Sequence, residues 1–75
     1  MNMYKNTMGD SGIIGYEATQ DSIIVYFKNG GIYLYNAIKC GIQNIIKMKE
    51  LAKIGTGLNE FINKYIKKEW AQKMN

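Results

Sequence analysis

The sequence predicts an α+β fold: a three-stranded antiparallel β-meander followed by two helices packed on one of its faces, in the order βββαα. Three observations carry that prediction. Residues 13–35 hold short β-branched and aromatic runs separated by turn signals. One of those signals, Asn29-Gly30, sits between two such runs. From Ala37 onward, apolar residues recur at helical spacing, interrupted by "IGTG" at Ile54 to Gly57.

Each element has its own local reason. Residues 1–10 read as a polar leader, and 11–75 as a single domain entered near Ser11. "IIGYEA", Ile13 to Ala18, leans toward strand and is followed by the turn-rich "TQDS". "SIIVYFK", Ser22 to Lys28, is dense in residues that suit a pleated, half-buried surface. Asn29-Gly30 fits a two-residue type I′ turn, after which Gly31 to Tyr35 returns as a third strand. That turn sets a register in which Phe27 faces Ile32, Tyr26 faces Tyr33, Val25 faces Leu34 and Ile24 faces Tyr35. Ile23, Val25, Phe27, Ile32 and Leu34 then form the core face. Ile24, Tyr26, Lys28, Tyr33 and Tyr35 form an outer, tyrosine-rich face.

Asn36 stands where a helix N-cap belongs. Beyond it Ile38, Ile42, Ile45 and Ile46 fall on one helical stripe, predicting a helix from about Ala37 to about Lys49 and a change of axis through "KELAK". Gly41 lies near the stripe, where a missing side chain allows close contact with the sheet. Thr56 is placed to cap a second helix beginning at Gly57 or Leu58. Along that helix Leu58, Phe61, Ile62, Tyr65, Ile66 and Trp70 form an apolar stripe whose core contact ends near Ile66. Trp70 and Met74 are then left exposed or covered by another chain.

Composition narrows the function classes. A chain of 75 residues builds a small core, and such scaffolds usually need a staple or a second subunit. With one cysteine and no histidine, neither an intrachain disulfide nor a structural zinc site is expected. Twelve isoleucines supply the aliphatic packing, and a homo-oligomer, dimer or higher, is expected to add to it. The lone thiol suits a reducing cytoplasm, and no run approaches the length of a membrane span. All ten positive charges are lysines, for a net charge of +4. Lysine serves phosphate as a point charge, whereas bidentate reading of guanine favours arginine, so sequence-specific DNA readout is not expected. The excess of Lys, Asn, Ile and Tyr is what AT-rich codons produce, in a low-GC bacterium or one of its phages.

"SGIIGYE", the hairpin "VYFKNGGIYLY" with Tyr33 and Tyr35 two apart, and "GTGLNEFI" together resemble the KTSC domain. This short module occurs at the C-terminus of some lysyl-tRNA synthetases and as small stand-alone bacterial and phage proteins. The resemblance spans roughly Ser11 to Ile66 and places the family's YxY motif at Tyr33 and Tyr35. It implies RNA binding. The chain departs from the family in having Leu34 where an arginine often stands between the tyrosines, and in lacking proline after the third strand.

Candidate site residues follow. Tyr26, Tyr33 and Tyr35 on one sheet face would make a stacking platform for bases, with Lys28 beside them for a phosphate. The same tyrosines also suit an ordinary half-buried sheet face. Lys53, Thr56, Gly57 and Asn59 surround the "GTG" turn, where backbone N–H groups at a helix start attract anions; a plain interhelix turn accounts for the same residues. Lys64, Lys67 and Lys68 fall on the polar side of the last helix, as a phosphate track or as a solvated face. Tyr65 and Trp70 are candidates for contact with another chain. Catalysis has little support: Cys40 has no base beside it, and Glu17 and Asp21 read as turn charges. The expected function is therefore a small non-catalytic module, without cofactor or metal, that binds RNA or an anionic, including cyclic, nucleotide. The alternative is a phage- or mobile-element-encoded interaction module that inhibits or sequesters a host factor, including a defence protein.

Overall fold

The computed structural model describes residues 1–6 and 12–75; the expected domain start at Ser11 lies outside them. Five strands form one antiparallel sheet in sequence order: β1 (Asn2–Met3), β2 (Ile13–Ala18), β3 (Ser22–Phe27), β4 (Ile32–Asn36) and β5 (Gln72–Lys73). Between β4 and β5 lie α1 (Ala37–Cys40), α2 (Ile42–Ile54), α3 (Leu58–Phe61) and a π-helical segment, Ile62–Ile66. The three expected strands are the middle of the sheet, and the two edge strands are supplied by the ends of the described chain. No helix among the described residues is long and apolar enough to cross a membrane.

The β3–β4 register differs from expectation by one residue. Tyr26 pairs with Ile32, Val25 with Tyr33, Ile24 with Leu34 and Ile23 with Tyr35. The cause is the turn. Phe27 and Gly31 are joined by a 2.8 Å backbone hydrogen bond, which leaves Lys28, Asn29 and Gly30 as a three-residue loop. Gly30 alone of the three takes positive φ, at 94°, whereas a type I′ turn would need it at both central positions. The Asn29 side chain instead accepts from the Gly31 N–H at 2.9 Å.

A one-residue slip moves every side chain to the opposite face. Tyr33 and Tyr35 therefore lie on the core side with Ile23, Val25 and Phe27, while Ile32 and Leu34 join Ile24 and Tyr26 on the outer side. Tyr35 is 2% exposed. The surroundings of Gly31 fit this arrangement, because a Cβ there would stand 2.8 Å from Cε2 of the Tyr33 ring. Between β2 and β3 a bulge at Ile14 shifts the pairing, so that Ile13 and Tyr16, three apart, both fall on the core face.

The first six residues take part in the fold instead of leading up to it. Asn2 and Met3 pair with Tyr16 and Gly15, and Tyr4 is 5% exposed within the core. Its hydroxyl accepts the Leu58 N–H at 3.2 Å. This bond supplies the cap expected from Thr56, whose side chain makes no capping bond.

The expected helix from Ala37 is cut at Gly41, which takes φ 86°. A Cβ there would meet nothing within 4 Å, so this glycine turns the chain and does not mediate contact with the sheet. Asn36 does cap α1, its side chain accepting from Lys39 N–H at 3.0 Å. After the break, α2 runs on to Ile54 and buries Ile45, Met48 and Ala52. Of the expected isoleucine stripe only Ile45 is buried; Ile38, Ile42 and Ile46 are exposed. Lys49 also faces the protein, donating to the backbone carbonyls of Thr19 and Gln20 at 2.8 and 2.9 Å and tying α2 to the β2–β3 turn.

Leu58, Ile62 and Ile66 are the last buried residues of the core, but contact with it does not end there as expected, because Trp70 also packs against it. Lys67 then leaves the helix with φ 57° and ψ −120°, and its N–H bonds to Ile62 O. The segment that follows returns to the sheet, where Ala71 N–H donates to Leu34 O and Met74 N–H to Ile32 O, each at 2.7 Å. The Asn75 side chain holds the hairpin tip, bonding to Gly30 O and to Ile32 N–H.

Candidate functional site

The returning segment creates a cleft. It opens between the hairpin tip and the end of the last helix and has a volume of about 600 Å³. Its aromatic wall is centred on Tyr33. Phe27 meets that ring edge-on at 5.6 Å and 77°, and Trp70 lies against it at 4.6 Å and 46°. Lys73, the strand partner of Tyr33, holds its ammonium 5.9 Å from the same ring. Lys28, Lys67 and Lys68 line the cleft, together with Asn29, Asn59 and Asn63. Among the described residues no carboxylate lines it. Asn59 and Asn63 are four apart and so lie on one side of their helix.

Tyr35 forms part of the floor. Burial pushes its phenol up to about 12, with smaller contributions from Tyr33 and Cys40, so it stays neutral and works as packing. Cys40 is half-buried and donates from Sγ to Glu69 O at 3.3 Å. Burial raises its pKa as well, which opposes the thiolate form that reactivity requires. Among the described residues no group of three or more His, Cys, Asp or Glu side chains is placed to hold a metal ion.

The cleft gathers five of the expected site residues: Lys28, Tyr33, Tyr35, Asn59 and Trp70. The expected outer platform of Tyr26, Tyr33 and Tyr35 does not form, because Tyr26 is on the opposite sheet face. There its hydroxyl donates to Glu17 Oε2 at 2.8 Å. This bond lowers the Glu17 carboxyl pKa, as does the terminal ammonium 3.4 Å away, and the same bond raises the pKa of Tyr26. Lys53, Thr56 and Gly57 lie away from the cleft lining. One N–H at the start of α3, that of Leu58, is already taken by the Tyr4 hydroxyl. Trp70 is half-buried against the core and not left off it. Tyr65 is 61% exposed, stacked on Phe61 at 5.1 Å with the Lys64 ammonium 5.4 Å from its ring.

Lys67 and Lys68 were expected on the polar side of a regular helix, as a phosphate track or a solvated face. A helical wheel continued past Ile66 sends both to solvent, whereas the π-helical segment carries one residue more per turn and swings them to the cleft. Asn63 and Phe27 carried no distinguishing signal. No protein-family model, curated protein or solved structure matches the chain.

Proposed function

We propose that this chain is a small non-catalytic module that binds an anionic ligand bearing an aromatic ring, most simply a nucleotide, in the cleft beside Tyr33. The observation that carries this is the pairing of an aromatic wall, Phe27–Tyr33–Trp70, with three lysines and no described carboxylate. Stacking on aromatic side chains suits any base, and lysine suits phosphate. A nucleotide is favoured over linear RNA because the rings line a concave, solvent-open cleft of about 600 Å³, a size suited to a small ligand. The resemblance to the KTSC domain points the same way through Tyr33.

Trp70 is the only tryptophan, so its fluorescence reports the cleft directly. Nucleotides are expected to quench it saturably, and Tyr33→Leu to weaken binding by about tenfold, as the loss of one stacking partner does. Saturable binding should survive added salt far better than the binding of a long RNA would. Absence of quenching by every nucleotide and by single-stranded RNA would refute the reading.

A second reading, an interaction module that captures a host protein or another copy of this chain, has support from exposed Tyr65 and from Ile38 at 93% exposure. Partner capture lost on Tyr65→Ala, with nucleotide binding intact, would favour it.

A further inference from the structure

We propose that the Lys67–Lys68 turn is the phosphate-holding end of the cleft, so that the ligand is a nucleoside phosphate gripped by its phosphate as well as by its ring. This rests on the reading of the cleft as a nucleotide site.

The backbone supplies the first reason. Lys67 has φ 57° and ψ −120°, and Glu69 N–H donates to Ile66 O at 3.1 Å. These are the dihedrals of the first central position of a type II′ turn, which is ordinarily glycine. A side chain there is strained, and such strain gathers at binding and catalytic sites. Packing gives no reason for a lysine: Lys67 is exposed, and no salt bridge among the described residues involves it or Lys68.

Placement supplies the second reason. The π-helical segment adds a residue to the last turn, seen in the bond from Lys67 N–H to Ile62 O at 2.5 Å. Single π turns of this kind occur frequently at functional sites. Here the turn brings two cations to the same cleft that Lys28 lines from the hairpin tip. A phosphate monoester meets three ammonium groups there, and the ring keeps the aromatic wall.

The test titrates the full chain with adenosine and with its 5′-monophosphate, reading Trp70 fluorescence, and repeats the pair with guanosine and its monophosphate. The monophosphate is expected to bind at least about tenfold tighter than its nucleoside, the gain of a charge-assisted contact. Lys67→Gly keeps the turn and is expected to remove most of that gain. Lys68→Gln is expected to act in the same direction. Equal binding of nucleoside and monophosphate, or a phosphate preference that survives Lys67→Gly, would overturn this inference and leave the nucleotide reading standing. Failure of all four ligands, and of the remaining nucleotides and single-stranded RNA, to bind would overturn both.

Discussion

Replacing Lys67 by glycine is expected to make the protein more stable. The site sits at φ 57°, where a residue with a Cβ costs about 1–2 kcal/mol. Glycine takes that conformation freely. Against this, glycine adds freedom to the unfolded chain, a loss of about 0.4–1 kcal/mol. The side chain itself is exposed, so little packing is lost. The net is a gain centred near about 0.8 kcal/mol and at most about 1.6 kcal/mol, and the central value raises Tm by roughly 3–6 °C for a domain of this size. Thermal unfolding followed by far-UV circular dichroism measures it, with Lys67→Ala as the control. Alanine keeps the Cβ and so should show no such gain. A glycine variant no more stable than the parent would refute the strain argument. An alanine variant that gained equally would place the effect in the lost charge. A protein that becomes more stable as it binds phosphate less well is not expected of a residue with a purely structural role.

Two further predictions concern the core. Tyr4→Phe should cost about 1 kcal/mol in urea unfolding, because the Leu58 N–H loses its partner, while Tyr4→Ala should cost about 3–5 kcal/mol as a buried aromatic truncation. Alkaline titration should destabilise the fold through Tyr35. Its folded pKa of about 12 lies above the ordinary 10, so the unfolded chain releases its proton first. Stability from this group is full below pH 10 and falls as pH rises toward 12, by about 2 kcal/mol in all; a flat stability across that window would refute the assignment.

Local pattern carried the central strands and the Asn36 cap, and both were legible. Register was not. Both parities of β4 are apolar, with Ile32 and Leu34 on one and Tyr33 and Tyr35 on the other, and Asn-Gly serves a two- or a three-residue loop. The arrangement that forms lets Trp70 stack on Tyr33 across a long stretch of sequence, and no local rule anticipates that. The helix stripe failed for a similar reason. Ile38, Ile42 and Ile46 repeat every four residues as convincingly as Ile45, Met48 and Ala52, and Gly41 breaks the helix between Ile38 and Ile42. The edge strands are two residues each, too short for any periodicity. At the site, single residues such as Tyr33 and Lys28 were found, but on the wrong architecture. A flat platform was expected where the chain builds a cleft.

The way the C-terminal segment rejoins the sheet has a kinetic consequence. The β2–β3 and β3–β4 hairpins close short loops, whereas the segment carrying Trp70 must return to β4 after all the helices have been laid down. Contacts of such long sequence separation are entropically slow to form. Beyond Ile66 no residue is fully buried, so few apolar contacts hold the wall once it arrives. The wall is therefore expected to be among the last parts of the protein to assemble and the first to fray. A folded core without a finished cleft is then an accessible state of this chain, and a bound ligand would draw the population away from it.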